Sequence, residues 1–281
     1  MTLFYLSVIL FFLSMLFFLY PIIIYPLILL LFRVYLKNSL ASYWLVDRNI
    51  STSSSSIGIL LCAHNEESVL ESKLADLVAR KAESSFPVNI YIYLDGCTDR
   101  SAEICRLFGD AVRLINSPVR TGKSVGMRCL AKIAREDLFV FTDANVLFSN
   151  NLLQKVRQHF INDTSVGCIL AHVSYKNALE CDTARSEASY WRSEEYIKKL
   201  ETEVGSAISG TGAFFAIRRE LYVPTPDDIV DDFHTTLNVL FFQKRIIQAS
   251  DVVVFERATT DSREQWNRKI RISCRSFNSL S

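Results

Sequence analysis

"DLFVFTDANVLFS", residues 137–149, carries the strongest fold signal in the sequence. An apolar run climbs to Phe141, a carboxylate and an amide break it at Asp143 and Asn145, and apolar residues resume at Val146. A short run rich in Phe and Val reads as a buried strand. Side chains at i and i+2 of an extended segment point the same way. Asp143 and Asn145 therefore present two hard oxygen ligands together at a strand end, the donor type that Mg²⁺ or Mn²⁺ accepts.

Two earlier strands end alike, in "CAHNEE" (62–67) and "LDGCTDRS" (94–101). Between the strands lie segments of helical spacing: "SVLESKLADLVARKA" (68–82), "TDRSAEICRLF" (98–108) and "GKSVGMRCLAKIAR" (122–135). Strands alternating with helices imply crossover connections and a parallel sheet covered on both faces. In such sheets ligands bind beyond the carboxyl ends of the strands. Any one polar end serves as a helix N-cap; three converging on one edge point to a site. "CAHNEES" contains no glycine, which argues against a dinucleotide fingerprint. "RTGKS" (120–124) ends like a P-loop, but Ser117 stands where the first glycine belongs. Lys123 at a helix start still suits an anion.

The formal net charge of +1 gives no reason to expect a nucleic-acid partner. Residues 2–32 carry no charged side chain, and Arg33 and Lys37 follow directly. A span needs about 20 apolar residues, so this run predicts a tilted or kinked transmembrane helix, with Pro21 and Pro26 as kink points. The alternative is a helical hairpin broken at the prolines. The segment lacks a basic start and a small-residue cleavage site, which argues against a removed signal peptide. Basic flanks stay on the cytoplasmic side. The expected layout is an anchor over residues 1–35, a linker over 36–56 containing "STSSSS", and a cytoplasmic domain over 57–281 at the inner (plasma) membrane. Seven cysteines without CxxC spacing read as reduced thiols. His64, His172 and His234 show no ligand spacing.

"AHNEE", "LDGCTDRS", "RTGKSVGMRCL", "FTDAN", "SGTGAFFAIRRE" (209–220), "IVDDF" (229–233) and "EQWNRKIRI" (264–272) occur in an order that resembles the processive-type family-2 glycosyltransferases. These include hyaluronan, chitin and cellulose synthases and related bacterial polysaccharide transferases. The resemblance covers residues 57–275, and "YPLILLL" (25–31) looks like the N-terminal anchor of that group. It implies an α/β GT-A fold with a mostly parallel central sheet, preceded by the transmembrane helix. It also implies an inverting transfer from a UDP-sugar, with Mg²⁺ or Mn²⁺, to a saccharide or lipid-linked acceptor in cell-surface polysaccharide synthesis.

By that resemblance Ala63, Asn65 and Glu67 line the nucleotide pocket, Asp95 accepts from the uracil ring, and Lys123 and Arg268 meet the diphosphate. Asp143 binds the metal, with Asn145 where a second Asp is usual. Gly210 and Gly212 lie on the acceptor side. Asp231 and Asp232 match an acidic pair in which Asp232 is the general base. Gln265 and Arg268 match QxxRW, with Lys269 replacing the Trp. Basic residues 268–275 also suit anionic lipid headgroups, so membrane lipid and other polysaccharide-assembly membrane proteins are expected partners. Members of the group usually continue into further spans. The alternative reading is therefore a truncated or non-catalytic nucleotide-sugar-binding subunit. Tyr190, Trp191 and Tyr196 in "DTARSEASYWRSEEYIKKLETEVG" (182–205) read as the core face of a helix, the other option being a sugar-stacking wall.

Overall fold

The computed structural model describes residues 2–37, 55–208, 210, 212–227, 231–263, 266, 269 and 270. Its centre is an eight-stranded sheet. The first half follows the predicted alternation: β1 (Ile57–Ala63), α3 (Glu67–Glu83), β2 (Val88–Asp95), α4 (Ser101–Leu107), β3 (Arg113–Ser117), α5 (Lys123–Ile133) and β4 (Leu138–Thr142). These strands are parallel in the order β3-β2-β1-β4, with Ile57 in register with both Val88 and Leu138. The chain first builds outward from β1 through β2 to β3, then returns to place β4 on the other flank of β1. That reversal is a topological switch point, where a crevice opens beyond the strand ends.

Beyond β4 the sheet is mixed. β5 (Leu147–Phe148), α6 (Leu152–Asn162), β6 (Val166–Tyr175), α7 (Asp182–Val204), β7 (Phe214–Arg218), α8 (Asp231–Phe241) and β8 (Arg245–Glu256) complete the order β4-β7-β6-β8-β5. β7 runs antiparallel to both β4 and β6, and β6 runs parallel to β8. The parallel order thus ends at β4, where antiparallel β7 follows in an otherwise mostly parallel sheet. β7 enters between β4 and β6, so its "FFAIR" backbone pairs with the strand that carries Asp143.

Alternation along the strands feeds two cores. On one face Ile57, Ile59 and Leu61 pack with Ile90, Ile92 and Val140 against Leu70, Leu74 and Leu77 of α3. On the other, Leu60, Tyr91, Tyr93, Phe139 and Phe141 meet Met127 and Leu130 of α5. Phe141 stacks on Phe215 with ring centroids 4.6 Å apart. At Gly126 an added Cβ would lie 2.6 Å from the Tyr93 ring and 2.8 Å from Cys62 Sγ, so α5 can lie close to the sheet only with glycine there.

The N-terminal run forms α1 (Thr2–Leu19), a π-helical turn at Tyr20–Ile24, and α2 (Tyr25–Lys37). The irregular turn holds Pro21 and runs into Pro26 at the start of α2, and both prolines remove donors from the helical ladder. Among the described residues this is the one helix long and apolar enough to cross a membrane, Phe4–Leu36 at mean hydropathy 2.6. It is one continuous run rather than a hairpin, and it extends to Lys37, beyond the expected boundary at residue 35. Linker residues 38–54 lie outside the described residues.

α2 docks on α7. Tyr25 Oη donates to Glu201 Oε1 at 2.6 Å, Arg33 Nε pairs with Glu203 Oε2 at 2.8 Å, and Leu29 is buried. The core reading fails for two of the α7 aromatics: Tyr190 and Tyr196 are each about half exposed, at 53% and 51%, while Trp191 is half-buried. The buried residues of α7 are instead Ala184, Glu187, Ala188, Lys198, Leu200 and Glu201, so three polar groups share the inward face with three apolar ones.

Candidate active site

Three parallel strands deliver their polar ends to one edge, as expected. β4 ends at Thr142, and the next four residues alternate. Ala144 and Val146 are buried, while Asp143 and Asn145 face the crevice. The floor beneath them is Lys73, fully buried on α3. Its ammonium donates to Thr142 Oγ1 at 2.9 Å and to the Val146 carbonyl, and lies 4.2 Å from the centre of the Phe148 ring. Burial pushes this amine down to about 7, opposed by the charges of Asp76 and Asp143.

Asp143 Oδ1 meets Lys123 Nζ at 2.9 Å. Lys123 is the first residue of α5, entered through Gly122 at φ +98°, a conformation that favours glycine. Asn145 Nδ2 donates to Glu256 Oε1 at 3.1 Å, which leaves its amide oxygen as the remaining acceptor. Asp232, in the first turn of α8, approaches from the opposite side. An added Cβ at Gly212 would lie 3.2 Å from Asp232 Oδ2 and 3.9 Å from Asp143 Oδ2. The two carboxylates thus face the same point, no farther apart than the sum of those distances, and glycine keeps the space between them open. Asp232 Oδ1 accepts from the Phe233 N–H at 2.8 Å, so this side chain also caps its own helix. Gly210 N–H donates to Thr236 Oγ1 at 3.0 Å, fastening the glycine segment to α8.

Asp95 ends β2 and is buried. Burial alone would raise its carboxyl. The Thr121 N–H and hydroxyl, at 2.6 and 2.9 Å on Oδ1, and the Gly122 N–H, at 2.9 Å on Oδ2, outweigh it and hold the group below the usual carboxylate range. Asp95 therefore shapes the turn that presents Lys123. Of about four acceptor positions on a carboxylate, three are occupied. Gly96, at φ +62°, has no room for a Cβ against Arg120 N, 2.5 Å away.

Ala63, Asn65 and Glu67 reach the same edge, but the two polar side chains hold the neighbouring loop. Asn65, left-handed at φ 55°, accepts from Thr98 N–H at 2.8 Å, and Glu67 Oε2 accepts from Arg100 N–H at 3.0 Å. Glu66 lies nearby, its carboxyl raised first by burial and then by the charges of Asp143 and Asp99. Gln265, Arg268 and the side chain of Asp231 lie outside the described residues. Asp227, in the loop before α8, pairs with Arg128 at 2.6 Å.

Sequence reasoning missed Lys73, Glu256 and Lys198. Lys198 is buried on α7; burial lowers its ammonium, and Glu194 and Asp232 are the carboxylates that chiefly oppose this. The signal for Lys73 was its place inside the Leu70-Leu74-Leu77 stripe, where a lysine is out of pattern.

No curated protein matches the sequence. Among solved structures, the chain is similar to the mannosyltransferase PcManGT from Pyrobaculum calidifontis in complex with GDP-Man and Mn²⁺. The identity is 21%, the TM-score 0.67, and the match covers 86% of this chain and 68% of that one. It is also similar to glucosyl-3-phosphoglycerate synthase from Mycobacterium tuberculosis in complex with Mn²⁺, UDP and glucosyl-3-phosphoglycerate. There the identity is 18% and the TM-score 0.54, over 78% of this chain and 77% of that one. A complex of glucosyl-3-phosphoglycerate synthase from M. tuberculosis with Mg²⁺ and UDP matches at 17% identity and TM-score 0.51, over 75% and 74%. At these identities the likeness is one of fold, and the fold is GT-A. The model of "Glycosyl transferase family 2" matches residues 58–223, more than half of the chain, and with the strand-end site this makes the protein a member of that family.

Proposed function

We propose that the chain is a membrane-anchored inverting glycosyltransferase. It moves a sugar from a UDP-sugar to a saccharide or lipid-linked acceptor in cell-surface polysaccharide synthesis, on the cytoplasmic face of the plasma membrane. The observation that carries this reading is the convergence of Asp143 and Asp232 on the open space at Gly212, beyond the strand ends.

The donor set fits a divalent cation. Asp143 already holds a cationic group, the Lys123 ammonium, and Asn145 keeps an amide oxygen available beside it. Asp143 and Asn145 would hold Mg²⁺ or Mn²⁺, which when bound offsets charge on a leaving diphosphate. Lys123, released from Asp143, turns to the phosphates. Asp232 takes the proton from the acceptor hydroxyl as that oxygen forms its bond to the anomeric carbon and the diphosphate leaves from the opposite face. The charge of Asp232 in turn helps to hold the buried Lys198 ammonium against its desolvation. Gly210 and Gly212 let the acceptor approach, and Gln265, Arg268 and Asp231 complete the donor and acceptor sides.

The test offers full-length chain in membranes a panel of nucleotide-sugars with Mg²⁺ or Mn²⁺ and counts released nucleoside diphosphate. GDP-sugars belong in the panel, because the mannosyltransferase it resembles binds GDP-Man. Metal-dependent release that disappears in Asp143→Ala supports the reading. Release from no donor, with nucleotide binding intact, would favour a non-catalytic subunit.

A further inference from the structure

A cleft of about 350 Å³ opens where the N-terminal helix meets α7, with no candidate active-site residue in its lining. Ile22 and Pro26 form one wall; Ser189, Arg192, Ser193 and Tyr196 form the other. Arg192 is anchored by Nε, which donates to the Ala188 carbonyl at 3.2 Å, and its two Nη groups have no protein partner among the described residues. The acids of α7 are largely committed elsewhere. Glu187 accepts from Thr259 N–H at 3.1 Å, Glu195 holds His172 and the Val173 N–H, and Glu201 and Glu203 hold Tyr25 and Arg33. The cleft therefore presents a free guanidinium fork, flanked by two serines and an apolar wall.

Its depth along the helix is informative. Phe4 to Ile24 makes a rod of roughly 30 Å at about 1.5 Å per residue, close to the roughly 30 Å hydrocarbon thickness of a bilayer. The cleft sits at the end of that rod, beside Tyr20 and Tyr25. On α7 the exposed Tyr190 and Tyr196 flank it, Tyr190 packing edge-on against Trp191 at 5.4 Å. Lys269 Nζ lies 5.8 Å from the Tyr190 ring centre. Amphipathic rings with neighbouring cations are the composition of a membrane–water interface.

We propose that α7 lies against the bilayer surface and that the Ile22–Arg192 cleft takes the phosphodiester of an anionic phospholipid. Arg192 Nη groups donate to the phosphate oxygens, in the fork geometry that suits phosphate. The Ser189 hydroxyl adds a hydrogen bond, Ser193 Oγ already donating to the Ser189 carbonyl at 3.2 Å, and Ile22 and Pro26 cover the apolar part of the lipid. The assignment rests on the anchoring reading above. It gives a role to aromatics that neither the core nor the active site uses.

The test uses the full chain with Trp44→Phe and Trp266→Phe, which leaves Trp191 as the sole indole. Vesicles of phosphatidylcholine, with or without phosphatidylglycerol, are brominated high on the acyl chains, and flotation is measured alongside Trp191 quenching. The expected result is flotation with both lipids, Trp191 quenching, and stronger quenching by brominated phosphatidylglycerol than by brominated phosphatidylcholine. Arg192→Gln, floating equally well, reduces that preference about fivefold, the worth of one basic side chain near an anionic surface. Flotation without Trp191 quenching, or without a lipid preference that depends on Arg192, overturns the cleft assignment and leaves the anchor standing. Absence of flotation overturns both. Loss of the preference when millimolar inorganic phosphate is added, with flotation unchanged, assigns the cleft to free phosphate and overturns the lipid.

Discussion

Lys73 Nζ lies 2.9 Å from Thr142 Oγ1, so a fully buried ammonium on α3 supports the strand end that turns into the Asp143–Asn145 segment. The same ammonium donates to the Val146 carbonyl, so both ends of the segment hang from one side chain. Lys73→Met keeps the length and loses the donors. It leaves the buried carbonyl unsatisfied, a cost of about 1–3 kcal/mol. Chemical denaturation is expected to show that loss, and Mn²⁺ titration a weaker apparent affinity. An unchanged midpoint together with unchanged Mn²⁺ binding would remove Lys73 from this role.

Gly212 marks the space between two carboxylates. Gly212→Ala puts a methyl 3.2 Å from Asp232 Oδ2, tight enough that a neighbour must shift by a few tenths of an ångström. Turnover is expected to fall sharply while the melting temperature moves little. Equal loss of both would make Gly212 a folding glycine only.

Asp232→Asn preserves shape and removes the proton acceptor. Turnover is expected to fall roughly 10²–10⁴-fold, with nucleotide binding retained in a calorimetric titration. Wild-type turnover in this variant would take the base assignment away from Asp232.

Asp95→Asn replaces a charged acceptor of three hydrogen bonds with an amide whose NH₂ confronts a donor from the 121–122 turn. Lys123 should lose its fixed starting point. The expected outcome is about 1–3 kcal/mol of lost stability and poorer donor affinity, read by denaturation and by nucleotide titration. The depressed Asp95 carboxyl also contributes stability that is present above the ordinary pKa of 3.8 and lost as pH falls through its lower folded value. Asp95→Asn should flatten that acid limb.

His172 runs the other way. Its Nδ1 lies 2.6 Å from Glu195 Oε2; this hydrogen bond, helped by the carboxylate charge and opposed by burial, raises the imidazole above 6.5. A raised base contributes stability that is full below the unfolded value and lost as pH rises through the folded one. The link between β6 and α7 therefore weakens as pH rises from the ordinary imidazole value of 6.5 through the raised folded one. Melting temperatures of His172→Gln across that window should fall less with pH than those of wild type.

The first four strands, and the edge on which the site sits, were legible because apolar runs ended in polar residues and alternated with helical spacing. Asp143 and Asn145 were legible for the same reason, since an amide and an acid interrupting "LFVF" have no use inside a core. What escaped was long-range. Nothing local in "VPTPDD" or "SGTG" says that β7 will slot in antiparallel beside β4, or that Asp232 will meet Asp143. The partners of Asp95 lie 26 and 27 residues away. Tyr190 and Tyr196 were misjudged because hydrophobic spacing treats Glu187, Lys198 and Glu201 as surface, whereas each is buried.

The clasp of Tyr25 on Glu201 and Arg33 on Glu203 fixes more than a helix contact. In a bilayer, a domain on a slack leash would sample many heights and tilts. Under the anchoring proposed above, the N-terminal helix, clasped to α7, would hold the candidate site at one height over the bilayer, and the search for an acceptor would become two-dimensional. Reach, as much as chemistry, would then select the substrate.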